Sequence, residues 1–238
     1  MIILAIETAT LTSGVALLDG DRVCAVRRTR VTTHSETLLA QIRDALDEAR
    51  VPLGALAAIA CGAGPGSFTG LRIGLATAKG LCFALGLPLV LVPSLQALAA
   101  RAPRGALAAG VLDAFKGEVY AGFYRLPGPA EPPVPIPEGV EIAAPPARLA
   151  LLLAERAARE PAPIHLIGDG ALRWPELAIS GLVASDCDPP DPIDVARIAG
   201  ARLLCGATDD LDTAAPRYVR PSEAELHAPG AAASLPQV

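Results

Sequence analysis

Ala57-Ala58-Ile59-Ala60-Cys61-Gly62-Ala63-Gly64-Pro65-Gly66-Ser67-Phe68-Thr69-Gly70-Leu71-Arg72-Ile73-Gly74 packs three signals into one run. The first five residues are continuously apolar, as in a strand buried on both faces. The glycines around Pro65 break that pattern and let the backbone approach a neighbour closely. From Phe68 a helix extends to Leu85, ended by Gly86 and Pro88. The turn is not a Walker A loop, because no Gly-Lys-Ser/Thr follows, and Ser67 stands where G-x-G-x-x-G needs its third glycine. A phosphate held by the backbone and a close-packed neighbour are both open readings of these glycines.

Upstream, residues 2–7 and 14–18 are short apolar runs separated by the hydroxyl-rich Thr8-Ala9-Thr10-Leu11-Thr12-Ser13. Asp19-Gly20-Asp21 turns the chain into a third strand over 22–28, as an Asp-Gly hairpin does. Thr33 and Glu36 form a T-x-x-E capping box for a helix over 34–50, with Leu38, Leu39, Ile42, Ala45, Leu46 and Ala49 at helical spacing. Downstream, strand 89–92 leads to Ser94, the expected cap of a helix over 95–101. Pro103-Arg104-Gly105 reads as a domain boundary. Beyond it come strands 106–113 and 118–125, a proline-rich stretch with a short strand over 139–142, helix 146–159, strand 164–168 and helix 191–205. The tail from Ser222 has no periodicity and is expected to be mobile. Meander, helix, strand, helix, strand, then a variation on the theme, predicts an α/β protein with mixed sheets. It is the plan of the actin-like, ribonuclease H-like fold in two domains, 1–104 and 105–221.

Composition narrows the class. Of 238 residues, 52% are apolar and 3% aromatic, so the core must be built from Ala, Leu, Val and Ile. A net charge of −5 argues against a free-standing nucleic-acid binder. Cys24, Cys61, Cys82, Cys187 and Cys205 show no C-x-x-C spacing and read as reduced, buried small hydrophobes. Met1 runs straight into a strand without a basic segment, and no stretch reaches the ~20 apolar residues of a spanning helix. A cytoplasmic protein without a membrane role is expected.

In helix 68–85, Gly70, Gly74, Ala78 and Cys82 repeat every fourth residue. Each interior glycine costs a helix about 1 kcal/mol against alanine, which close packing of another backbone offsets. Either the chain's own sheet or another subunit covers that stripe; Arg72 and Lys79 are the helix's only charges. His34, His165 and His227 lack metal-ligand spacing, and His34 reads as an exposed first-turn residue. Arg22, Arg27, Arg28 and Arg30 read as a solvated strand face or a contact for RNA presented by a partner. Asp113 and Glu118 flank a hairpin turn.

Ile6-Glu7-Thr8-Ala9-Thr10, His34-Ser35-Glu36, Gly64 to Gly74, Asp113-Ala114-Phe115-Lys116-Gly117-Glu118-Val119-Tyr120 and Pro216-Arg217-Tyr218-Val219-Arg220 resemble the TsaB (YeaZ) family. That family supplies the non-catalytic subunit of the bacterial tRNA threonylcarbamoyladenosine machinery. The resemblance implies a heterodimer with the catalytic paralogue TsaD through helices 34–50 and 68–85, docking of the ATPase TsaE, and a homodimer when the chain is alone. It places His34, Leu38, Leu39, Ile42, Leu46, Phe68, Thr69, Gly70, Leu71, Arg72, Gly74, Leu75, Ala78, Lys79 and Cys82 at the partner interface. Glu7, Thr8, Thr10, Thr12 and Asp113 are a vestigial nucleotide-binding set, with Ser13 in the same hydroxyl-rich turn. Leu11 stands where the paralogue has a catalytic Asp, and Ser94 and Leu98 where it has the histidines of H-x-x-x-H. No catalytic residue, metal or cofactor is expected here; ATP and metal belong to the partner subunits, and tRNA is met through the complex only. A metallopeptidase, or a phosphotransferase acting alone, is the alternative.

Overall fold

A computed structural model describes residues 1–30, 37–186 and 188–220. The capping box, His34 and the tail beyond 220 lie outside the described residues. Two sheets make the frame. The first contains β1 (Ile2–Glu7), β2 (Thr12–Asp19), β3 (Arg22–Arg30), β4 (Leu56–Gly62) and β5 (Leu89–Val92), in the order β3-β2-β1-β4-β5. Its meander is antiparallel, with Gly20 at positive φ in the β2–β3 turn, while β4 and β5 join in parallel. The second sheet runs β11-β10-β6-β7-β8, from β6 (Leu107–Asp113), β7 (Val119–Arg125), β8 (Ile136–Pro137), β10 (Ile164–Ile167) and β11 (Leu182–Asp186). The short β9 (Ile142–Ala144) pairs with β7.

Helices fill the layers. α1 (Leu38–Ala49) and α2 (Phe68–Leu85) cover the outer face of the first sheet, burying Leu38, Ile42, Leu75 and Ala78 against Leu4, Ile6 and Val15. α4 (Pro146–Ala157) and α5 (Gly170–Arg173) serve the second sheet, with Leu149 and Leu153 against Leu107, Ala109 and Phe123. Between the sheets lie α3 (Ser94–Ala99) and α6 (Pro192–Leu204). α3 packs Leu95 and Leu98 on the second sheet, beside Ala108 and Tyr124. α6 returns to the first sheet, setting Val195, Ile198 and Ala199 against Ile3, Ala5 and Val90. Pro103-Arg104-Gly105 thus separates the two sheets in sequence, but helices from each side of it complete the other half.

Several local expectations change. Ser94 is the first residue of α3 rather than its cap; its hydroxyl donates to Glu7 instead. The strand expected over 139–142 starts at Ile142, and β11 has no counterpart in the sequence reading. Cys61 and Cys82 are buried, whereas Cys24 is half-buried and Cys205 exposed at the end of α6. Among the described residues α2 is the one helix long and apolar enough to cross a membrane, and its inner face lies on the sheet.

Candidate functional site

The two halves enclose a cleft of about 840 Å³. The first half contributes the β1–β2 turn, with Thr10, Leu11 and Thr12, and the entry to α2, with Gly66, Ser67 and Phe68. The second contributes the end of β6 and its hairpin turn, Asp113 to Lys116, together with Tyr120, Asp169 and Arg173. The segment after α6 closes the wall with Tyr218 and Arg220.

Beneath the cleft lies a polar knot. Glu7 is 2% exposed; its Oε1 accepts the Ala9 N–H at 2.7 Å and its Oε2 the Ser94 hydroxyl at 2.9 Å. The Ser94 oxygen also accepts the Gly64 N–H at 3.3 Å. Burial pushes the Glu7 carboxyl above its usual range, against these hydrogen bonds. A Cβ on Gly62 would strike this carboxylate, and one on Gly66 would strike the Ala9 carbonyl. The glycines therefore permit close approach within the chain, and the Ser67 N–H donates to Ala9 O at 2.7 Å. Ser67 Oγ caps α2 by accepting the Gly70 N–H.

The nucleotide-binding set is accordingly split. Thr10, Thr12 and Asp113 line the cleft. Glu7 and Thr8 do not: both are buried, and the Thr8 hydroxyl donates to Gly70 O at 2.9 Å. Ser13 also turns inward, donating to Gln41 Oε1 at 3.2 Å. Leu11 stands at the cleft, 46% exposed, while Ser94 and Leu98 are fully buried away from it. Among the described residues no three His, Cys, Asp or Glu gather as a metal site. In the second half, Asp113 pairs with Arg173 at 2.5 Å and its backbone N–H donates to Asp169 Oδ1 at 3.1 Å. Burial raises the Asp169 carboxyl, and the neighbouring Asp113 charge adds to that.

The partner-interface set also divides, and here the structure corrects the sequence reading. Gly70, Gly74, Ala78 and Cys82 face the chain's own sheet, with Thr8 filling the space that a Gly74 Cβ would need. Leu38, Ile42, Leu71 and Leu75 are core residues as well. What α2 offers outward is Phe68, Thr69, Arg72, Ala76, Gly80, Phe83 and Ala84, Phe83 being 86% exposed; α1 offers Leu39, 64% exposed. Leu46 and Lys79 are half-buried, Lys79 donating to Ala214 O at 3.2 Å. Phe83, Ala76 and Gly80 escaped the sequence reading. Their spacing from Arg72, itself exposed because charged, was the available signal.

Two mixed sheets sandwiching central helices around an interdomain cleft define the actin-like fold. The activator of the 2-hydroxyisocaproyl-CoA dehydratase from Clostridium difficile shares it, at a TM-score of 0.50 and 8% identity, over 88% of this chain and 99% of that one. YeaZ from Pseudomonas aeruginosa superposes with a TM-score of 0.76 at 33% identity, covering 91% of this chain and 99% of that one. The tRNA threonylcarbamoyladenosine biosynthesis protein TsaB of Escherichia coli is 34% identical over 236 residues, 97% of this chain and 99% of that protein. The TsaB of Bacillus subtilis is 38% identical over 127 residues, 52% of this chain and 56% of that protein. The family model for TsaD, tRNA N6-adenosine threonylcarbamoyltransferase, matches residues 29–130. The chain belongs to the TsaB (YeaZ) family.

Proposed function

We propose that this chain is the non-catalytic subunit of the cytoplasmic complex that makes threonylcarbamoyladenosine in tRNA. In this reading it binds the catalytic paralogue TsaD through the outward faces of α1 and α2, and the ATPase TsaE docks on the pair. ATP and metal are left to the partners. The observation that carries the reading is Phe83, 86% exposed among Ala76 and Gly80 on a helix whose other face is fully committed to the core. A ring so exposed beside small residues suits close approach by another helix. Leu39 lies on the neighbouring helix of the same layer. Leu11 in the cleft and the buried Ser94 and Leu98 support the absence of catalysis, because none of the three side chains can act as a base or ligate a metal there.

Co-expression with the paralogue from the same genome tests the proposal. The native chain should be co-purified and modification should require it. Phe83→Glu should abolish capture while leaving the circular dichroism spectrum and melting temperature unchanged. Full modification without this chain, or native-like capture of Phe83→Glu, would overturn the assignment. By itself the chain is expected to dimerise through the same face, and Phe83→Glu to be monomeric in sedimentation.

A further inference from the structure

The cleft is chemically unlike the rest of the molecule. Phe68, Phe115, Tyr120 and Tyr218, four of the chain's eight aromatic residues, line it. So do four cations, Arg30, Lys116, Arg173 and Arg220, against two carboxylates, Asp113 and Asp169, in a protein of net charge −5; Arg173 is paired with Asp113 and Arg220 with Glu118 at 3.0 Å. The rings are not packed away: Phe68 is 40%, Tyr218 43% and Phe115 54% exposed. Phe68 and Tyr218 stack at 5.2 Å between centroids, and Arg72 lies 3.9 Å over Phe68 while donating to the Tyr218 hydroxyl at 3.0 Å. The rings are tilted 30° to one another and, with Arg72 bracing both, form an aromatic platform at the cleft wall. Across from it, Phe115 and Lys116 are held at positive φ, 58° and 54°, ahead of Gly117. Two consecutive non-glycine residues in that region carry backbone strain that glycine or asparagine would not, and Phe115 is left largely exposed.

We propose that this cleft seats an unpaired nucleotide of single-stranded RNA, the base stacking on the Phe68–Tyr218 platform and the phosphates meeting Arg30, Arg220 and Lys116. Arg30 is exposed and has no partner among the described residues. Asp113 and Asp169 sit deeper than the cations and offer acceptors to base amino or ribose hydroxyl groups. Aromatic stacking surfaces combined with cations that follow the backbone are the means by which unpaired bases are held. A nucleotide meets the platform, the cationic rim and the acidic floor together; an acidic peptide leaves the platform and the floor without matching groups. The same chemistry is carried by a free mononucleotide, so the test separates the two. The proposal rests on the tRNA reading above only for why RNA is present. It makes this chain a direct RNA contact rather than one reached through its partner alone.

The experiment uses the full chain without partners, so its outcome is independent of complex formation. A fluorescent single-stranded RNA pentamer is titrated by anisotropy against the corresponding nucleoside monophosphate, a magnesium nucleoside triphosphate and a duplex of the same sequence. A 4-thiouridine version is photo-crosslinked and the adducts mapped. Binding should prefer the single strand, weaken with salt, and crosslink at Phe68, Phe115 or Tyr218. Tyr218→Ala should lose affinity on the order of tenfold. Phe115→Ala, on a turn where the residue is 54% exposed, should do the same with the fold intact. Adducts mapping elsewhere, affinity unchanged in both variants, duplex bound as tightly, or capture of only the free nucleotide or an acidic control peptide would each overturn the proposal.

Discussion

Single residues show how polar groups were reassigned to structure. Glu7 looks, in sequence, like part of a ligand-binding turn, yet its two oxygens tie β1 to the β1–β2 turn and to α3. Its carboxyl is raised above the usual 4.5 by burial, so the folded state holds the proton more tightly than the unfolded chain. The stability this contributes is fully present below the unfolded value and is lost as pH rises through the folded one. Glu7→Gln keeps an acceptor for the Ala9 N–H and abolishes the titration. Its stability relative to the native chain should therefore rise as pH climbs above the usual carboxylate range, read from urea melts over a pH series; a flat difference would mean Glu7 does not titrate on folding. The thiols give a second residue-level test. Burial pushes Cys82 up to about 11 and Cys61 higher still, while Cys205 is exposed. At mildly alkaline pH a thiol reagent should label Cys205 at once, and Cys61 and Cys82 only as the protein unfolds.

At the scale of elements, α2 was legible from end to end but not in its orientation. Ser67 and Gly86 mark its ends to the residue, because capping is local chemistry. Which side meets the sheet is not local. A stripe of small residues reads the same whether the covering backbone comes from the same chain or another, and here it is the chain's own β1 end, through Thr8. Gly74→Leu is thus expected to damage the fold rather than a docking face. Overpacking against Thr8 costs about 1–3 kcal/mol, and loss of the Thr8–Gly70 hydrogen bond about 1 kcal/mol more. That corresponds to a melting temperature lower by roughly 5–15 °C for a chain of this size. A Gly74→Leu protein that melts like the native one would contradict the packing described here. The small β11 went unread because five residues between loops carry too little periodicity to stand out.

The whole molecule is held by exchanges between its halves. Arg101, just past α3, donates to Asp194 of α6 at 2.7 Å with both side chains almost covered, and to the carbonyl of Pro189. Arg101→Ala would leave the buried Asp194 carboxylate with only the exposed Arg197 at 3.8 Å, a loss of about 2–4 kcal/mol that chemical denaturation should register. Sequence pattern gave the order of strands and helices well enough to reach the actin-like plan; of the nucleotide-binding set that the family resemblance implied, Thr10, Thr12 and Asp113 line the cleft, while Glu7 and Thr8 are buried outside it. Pattern could not show that α6 belongs to the first sheet, since an amphipathic face says that it must be covered and not by what. The return of α6 has a consequence during synthesis. The apolar face of Ile3, Ala5, Ala58, Ala60 and Val90 has only Ala97 and Ala100, in and just past α3, against it until α6 has left the ribosome. At about 5–20 residues per second, the hundred or so residues after the first sheet leave that face largely uncovered for roughly 5–20 s. The amino-terminal half is therefore expected not to fold stably without the later segment. A fragment of residues 1–104 made alone should aggregate, and adding 188–220 as a separate peptide should restore part of its solubility.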